Sequence, residues 1–268
     1  MRVERLGPAG EATVAAVGAV HGDEPCGARA VERFLAEGPV DRPQRPVKLV
    51  VANERALAAG RRYLDGDLNR LFPGDPDDDR HEARLAHRLH RETSGCLTLG
   101  FHSTVSFEAP FGTLADPTPE KAALMDALPL AHAADFTGVV EGRSVNLPRF
   151  VNVEAGSQGS DAAAANAYDC LLAFLGHTGV LPDEPESGAT THYRVFETVE
   201  KEPNRQYELL VENFERVDAG EPYATTAGGD THRSERLFWP VLMSADGHRE
   251  LLGYKAERTG DIGTVVDE

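Results

Sequence analysis

The chain has 268 residues, of which 41% are hydrophobic, and a formal net charge of −17. This length suits one large domain or one domain with a small second one, and the acidic balance argues against nucleic acid or an anionic membrane as a partner, because both need a basic surface. No apolar run is long enough to span a bilayer, and the N-terminal residues lack the apolar core of a signal peptide. Three scattered cysteines exclude a disulfide framework. We therefore expect a cytoplasmic protein.

Predicted strands and helices alternate through the first two thirds of the chain. Short apolar runs ended by polar residues or glycine predict strands over 12–20, 46–53, 96–101 and 149–156. Apolar residues at helical spacing, with acidic or serine starts, predict helices over 24–37, 77–95, 118–128 and 160–176. This alternation predicts an α/β fold with a mixed, largely parallel sheet flanked by helices.

The pattern changes near residue 185. Strand-like runs then follow one another without long helices between them, at 191–200, 206–214, 237–244 and 250–257. This change predicts a small β-rich C-terminal module. We therefore divide the chain into an α/β domain at 1–185 and a β-rich domain at 186–268.

Two histidines follow predicted strands. His21 and Glu24 come directly after the first strand, and His102 follows the third. Because parallel strands end at one edge of a sheet, where ligands bind, these three side chains are expected to lie close together. Two histidines and a carboxylate, with water as the fourth ligand, form a catalytic zinc site. The first pair alone also suits a helix start, where acidic residues favour the helix dipole.

A carboxylate and a cationic segment complete the candidate site. Glu154 ends another predicted strand at the same edge, where it is suited to move a proton between water and a leaving amine; alone, it is equally a solvated strand-end residue. The segment RRYLDGDLNRLF, residues 61–72, which we call the arginine loop, contains Arg62, Asn69 and Arg70. Guanidinium groups bind carboxylates through two hydrogen bonds, although a surface loop with ordinary ion pairs is the alternative.

Four motifs, in this order and spacing, resemble the succinylglutamate desuccinylase and aspartoacylase family of zinc carboxypeptidase-like hydrolases: HGDE, RYLDGDLNRLFPG, FHST and VNVEAG. The resemblance covers about residues 12–175. It implies one Zn²⁺ per chain, on the ligands His21, Glu24 and His102. It also implies Glu154 as the general acid and base.

The resemblance further implies that Arg62, Asn69 and Arg70 hold the substrate carboxylates, and Arg62 also suits stabilisation of the oxyanion. Arg143, in the segment GRSVN, resembles a further substrate arginine. The β-rich C-terminal part of the family shields the mouth of the site, which agrees with the change near residue 185.

Two positions depart from the family pattern. The family has an aspartate two residues before the second zinc histidine, where this sequence has Gly100, so the group that orients His102 is not identified. The family also offers a tyrosine to the substrate from its C-terminal part. The matching position here holds His248, and Tyr254 is close by as the alternative.

These features predict a zinc-dependent amidohydrolase that acts on a small N-acyl amino acid bearing a carboxylate, with ester hydrolysis as a related activity. A metallocarboxypeptidase acting on peptide C-termini and a non-catalytic binding protein on the same fold are the alternatives. The acyl group, the amino acid and any homo-oligomeric state are not determined by the sequence. Only four of the 27 basic residues are lysines, and this acidic, lysine-poor composition suggests adaptation to high salt, where ions screen self-repulsion.

Overall fold

A computed structural model describes residues 1–39, 43–183, 185 and 188–264. The strands in this part of the chain are β1 (Arg2–Leu6), β2 (Val14–Gly18), β3 (Val47–Val51), β4 (Leu97–Thr104), β5 (Phe111–Leu114), β6 (His132–Asp135), β7 (Phe150–Ser157), β8 (Thr191–Glu200), β9 (Tyr207–Leu209), β10 (Pro222–Thr226), β11 (Thr231–Arg233), β12 (Trp239–Val241) and β13 (Leu251–Asp261). The helices are α1 (Cys26–Glu37), α2 (Glu54–Ala58), α3 (His81–Thr93), α4 (Pro119–Ala127) and α5 (Asp161–His177).

Ten of these strands form one mixed sheet, in the order β1-β3-β2-β4-β7-β5-β6-β8-β13-β12. Neighbouring strands are parallel in the pairs β2–β3, β2–β4, β4–β7, β5–β6 and β6–β8. A separate antiparallel sheet contains β9, β10 and β11. The predicted α/β fold, with its largely parallel sheet and small β-rich C-terminal part, is confirmed.

The large sheet runs past the predicted domain boundary. Strand β8, from the C-terminal part, pairs in parallel with β6 and antiparallel with β13. Residue 186, where the second domain was predicted to begin, lies outside the described residues. The division into two domains therefore stays a prediction, while the hydrogen-bonded sheet continues through both parts.

Close backbone packing fixes the start of α1 beside the central strands. A Cβ atom built on Gly18 would lie 2.4 Å from the carbonyl carbon of Gly27, and one on Gly27 would lie 2.4 Å from the Cβ of Phe101. Only glycine allows the first turn of α1 to approach β2 and β4 this closely. The loop from residue 19 to 25 is thereby held against the carboxyl end of the sheet.

The lysines are unusual because each ammonium group binds a protein oxygen. Lys121 and Lys255 are buried, and Lys48 and Lys201 are half-buried. The Nζ atom of Lys121 donates to Ala115 O, that of Lys255 to Glu197 Oε1 and that of Lys48 to Glu92 O. The Nζ atom of Lys201 donates to both Ala245 O and His248 O. The exposed cationic side chains are therefore arginines. Among the described residues, no helix has the length and apolar character needed to cross a membrane.

Candidate metal and catalytic site

The candidate site lies where β2, β4 and β7 carry their polar residues to one edge of the sheet. His21 and Glu24 lie in the loop between β2 and α1, and His102 and Glu154 are opposite each other in the parallel pair of β4 and β7. The sequence predicts this strand over 96–101, with His102 directly after it. Strand β4 instead continues to Thr104, so His102 lies within the strand. The extra residues are held in the sheet by pairing with β7.

Three buried side chains face one another at this edge. The Nδ1 atom of His21 is 2.8 Å from Glu24 Oε1, and the Nδ1 atom of His102 is 2.9 Å from Glu24 Oε2. One ligand atom from each residue lies within 4.8 Å of the others, and all three residues are at most 3% exposed. Nitrogen and carboxylate oxygen are the donors that zinc takes in catalytic sites, so this set fits such an ion.

A second carboxylate orients the first histidine. Asp67 Oδ1 lies 2.9 Å from His21 Nε2, which leaves Nδ1 of the same ring for a metal. Burial lowers the pKa of His21, but the carboxylates of Glu24 and Asp67 outweigh burial and raise that pKa to about 9. The two carboxylates thus favour positive charge at this position, which is the electrostatic requirement of a divalent cation site.

The second histidine has no such support. The buried Nε2 atom of His102 has no hydrogen-bond partner in the part of the chain that the structure describes. Gly100, two residues earlier, offers no side chain for it. Among the described residues, the His102 ring is hydrogen-bonded only to Glu24, and it lies 5.0 Å from the His21 ring, whereas His21 is hydrogen-bonded at both nitrogens.

Glu154 has the properties of a proton-transfer group. It is half-buried, and burial together with the charge of Glu24 raises the pKa of its carboxyl to about 7, although His102 acts in the opposite direction. A carboxyl whose pKa lies near neutrality both accepts and returns a proton efficiently. Glu154 is thus suited to general acid and base catalysis next to the candidate ligands.

The arginine loop brings its cations and its amide to the same edge. Arg62 Nη1 lies 2.6 Å from Glu24 Oε1, next to the candidate metal position. Asn69 Oδ1 accepts a hydrogen bond of 2.9 Å from Ser144 N. Arg70 Nη2 lies 3.1 Å from His248 Nε2, so a loop of the C-terminal part reaches the site.

The structure separates the two C-terminal candidates. His248 is half-buried beside Arg70, whereas Tyr254 is 2% exposed and packs edge-on against Phe136 in a hydrophobic cluster. Of the two, His248 is the one placed near the arginine loop. Arg143 lies beside this loop through its backbone neighbours, since Phe72 N donates to the carbonyl oxygen of Gly142.

Sequence reasoning did not identify the residue that anchors the arginine loop. Glu82, in the first turn of α3, is fully buried, and its carboxylate accepts hydrogen bonds from the backbone N–H groups of residues 64, 65 and 66 and from Asn53 Nδ2. In return, Asp65 Oδ2 accepts a hydrogen bond from His81 N at the start of the same helix. The only signal in the sequence is an acidic residue at a helix start, which is common at exposed positions too.

The sequence is similar to those of known proteins. The family model of the succinylglutamate desuccinylase/aspartoacylase catalytic domain matches residues 11–144, half of the chain. An N-acyl-aromatic-L-amino acid amidohydrolase (carboxylate-forming) from Rattus norvegicus is 38% identical over 86 residues. That match covers 29% of this chain and 27% of the relative, so it spans only about a quarter of the relative's length.

Solved structures share the fold over most of the chain. A succinylglutamate desuccinylase/aspartoacylase from Rhodobacter sphaeroides has a TM-score of 0.80 at 21% identity, covering 97% of this chain and 89% of that one. Murine aminoacylase 3 has a TM-score of 0.70 at 20% identity, covering 94% and 97%. The ectoine utilization protein EutE from Ruegeria pomeroyi has a TM-score of 0.77 at 21% identity, covering 95% and 88%.

Proposed function

Since the chain belongs to the succinylglutamate desuccinylase/aspartoacylase family, we propose that it is a zinc-dependent hydrolase that cleaves the amide bond of an N-acyl amino acid. The observation that carries this proposal is the buried cluster of His21, Glu24 and His102, whose donor atoms lie within 4.8 Å of one another. Two imidazole nitrogens and a carboxylate oxygen are the ligand types that zinc takes in catalytic sites. A partly similar relative that is an N-acyl-aromatic-L-amino acid amidohydrolase supports the reaction class.

The proposed chemistry divides the work among four residues. A zinc ion held by His21, Glu24 and His102 would supply a water of lowered pKa and polarise the amide carbonyl. Glu154 takes the proton from the attacking water and returns it to the amide nitrogen as the C–N bond breaks, giving a carboxylate and an amine. Its pKa of about 7 suits both directions of transfer.

The arginine loop supplies the groups for charge on the substrate. Arg62, 2.6 Å from Glu24 Oε1, is placed to donate a hydrogen bond to the carbonyl oxygen as negative charge develops there. We assign Asn69 and Arg70 to a substrate carboxylate, with Arg143 and His248 as further contacts. His248 Nε2 lies 3.1 Å from Arg70 Nη2, which places the imidazole beside the guanidinium assigned to the substrate carboxylate.

We also propose that the protein works in a cytoplasm of high salt. Its net charge is −17, and all four lysine ammonium groups bind protein oxygens, which leaves arginine and acidic side chains at the surface. Salt screens the repulsion among the acidic groups. A homo-oligomer is compatible with this proposal.

A hydrolysis screen tests the proposed reaction. The purified, zinc-loaded protein is incubated in high salt with N-acetyl, N-succinyl and N-formyl amino acids and with short peptides, and the free amine released is measured. Release of amino acid from an N-acyl amino acid supports the proposal. Cleavage restricted to peptide C-termini would favour a carboxypeptidase, and zinc binding without hydrolysis of any amide or ester would favour a binding protein.

A further inference from the structure

Asn152 fills the space next to Gly100. Gly100 in β4 pairs with Asn152 in β7, and a Cβ atom on Gly100 would lie 2.1 Å from Asn152 Oδ1. A side chain at position 100 therefore cannot be accommodated while Asn152 keeps its present position. Asn152 is 2% exposed, so its amide group must be hydrogen-bonded within the protein.

The partner of this amide is Ser144, which is fully buried. Asn152 Nδ2 lies 3.0 Å from Ser144 Oγ, and Ser144 Oγ lies 2.8 Å from Asn69 Oδ1. Asn152 Oδ1 is farther from the hydroxyl, at 3.4 Å. Since the hydroxyl has one proton, the shorter contact to Asn69 takes it, and the oxygen of Ser144 accepts the hydrogen bond from Asn152.

The backbone fixes the direction of this chain of hydrogen bonds. Ser144 N also lies 2.9 Å from Asn69 Oδ1, and a backbone N–H group can only donate. The atom of Asn69 that faces Ser144 is therefore its oxygen, which accepts two hydrogen bonds. Its Nδ2 group points away from Ser144 and stays available as a donor.

From this geometry we infer that Asn152 is a positioning residue, which acts through Ser144 to hold the amide of Asn69 with its N–H groups toward the substrate. Asn69 then offers only donors, which match a carboxylate or carbonyl oxygen and would be unsuited to a donor group of the substrate. This inference rests on the proposed function only in assigning Asn69 to the substrate.

Substitution at three positions tests this role. Asn152→Ala is expected to raise KM about three- to tenfold, the effect of weakening one hydrogen bond, while kcat stays within about threefold and zinc content is unchanged. Gly100→Asn combined with Asn152→Gly returns an amide to the same space from the neighbouring strand, and is expected to restore KM. Thr190→Val is the matched control, because it removes another buried side-chain hydrogen bond, to Leu130 O, outside the candidate site.

Two outcomes of the kinetic test overturn the inference. One is an unchanged KM in Asn152→Ala. The other is a rise in KM in Thr190→Val equal to that in Asn152→Ala, because a general loss of stability would then explain both.

Amide hydrogen exchange tests the same inference without a substrate. The Ser144 N–H is expected to exchange at least about tenfold faster in Asn152→Ala, whereas exchange of Leu147 N–H, which donates to Ser144 O in the same turn, is expected to change less. An unchanged Ser144 exchange rate would overturn the positioning role. If the wild-type protein cleaves no N-acyl amino acid, the proposed function fails, and the exchange rates alone still decide whether Asn152 holds this chain of hydrogen bonds.

Discussion

Replacing Glu82 by glutamine is expected to destabilise the protein by about 3 kcal/mol and to loosen the arginine loop. Each carboxylate oxygen of Glu82 accepts two hydrogen bonds, and those to Oε2 come from Asp65 N at 3.0 Å and Gly66 N at 3.3 Å. A glutamine keeps one acceptor oxygen and turns an NH₂ group toward one pair of donors. Two hydrogen bonds to a charged group are lost, and each contributes about 1.5–3 kcal/mol to stability. The longer one, from Gly66 N, is expected to contribute about the lower value.

Urea denaturation at fixed salt measures this effect as the change in the free energy of unfolding. Glu92→Gln, on the same helix, is the matched control, because the Glu92 carboxylate pairs with Arg5 at 2.8 Å and with Lys48 at 3.5 Å near the surface, and such pairs contribute about 0–1 kcal/mol each. A loss below about 1 kcal/mol in Glu82→Gln, equal to that of the control, would refute the reasoning.

The same variant carries a pH signature. Burial raises the pKa of Glu82, but the hydrogen bonds from the backbone of Leu64 and Asp65 outweigh burial and hold that pKa below its usual range. A carboxyl with a lowered folded-state pKa contributes stability above its unfolded-state pKa of about 4.3, and this stability is lost as the pH falls through the folded-state value. The wild-type protein is therefore expected to lose more stability than Glu82→Gln as the pH falls below about 4.

His102→Ala is expected to lose most of its zinc by metal analysis, and full retention would remove His102 from the ligand set. Glu154→Gln is expected to keep zinc and to lose about 10²–10⁴-fold in kcat, since glutamine cannot accept the proton; activity near wild type would mean that another group is the base. Arg70→Ala is expected to raise KM for carboxylate-bearing substrates with zinc retained, and Arg70→Lys to rescue poorly, because an ammonium cannot form the paired hydrogen bonds. KM for carboxylate-bearing substrates is expected to fall as salt rises to molar levels, because salt screens the repulsion from distant acidic residues more than the attraction of close ion pairs. Equal cleavage of an amide without a carboxylate would contradict both the role of Arg70 and this salt dependence.

The central strands were predictable because each is a short apolar run with a clear polar end. Strands β2, β3, β4 and β7 all lie within or overlap the predicted ranges, and their parallel pairing explains why residues distant in sequence meet at one edge. Strands β5 and β6 were missed. Each has only four residues, FGTL and HAAD, so neither contains the longer apolar run that marked the central strands, although α4 lies between them.

Within the site, the candidate ligands were predictable from local motifs, whereas their supporting groups were not. Glu82 binds a loop about 16 residues before it, and this depends on how that loop folds over the start of α3. The chain from Asn152 through Ser144 to Asn69 joins three separate segments. None of these residue types is unusual where it stands, so only the tertiary structure shows that they are connected.

The placement of the four lysines has a practical consequence for chemistry on the folded protein. Reagents that acylate primary amines react with the neutral, accessible amine. Each lysine Nζ here donates a hydrogen bond to a protein oxygen, which holds the nitrogen against the protein. Amine-directed labels and cross-linkers are therefore expected to modify the native protein slowly, and to modify it rapidly once urea unfolds it. The extent of lysine acylation, read by mass spectrometry, would then serve as a footprint of folding, whereas guanidinium-directed reagents would map the native surface.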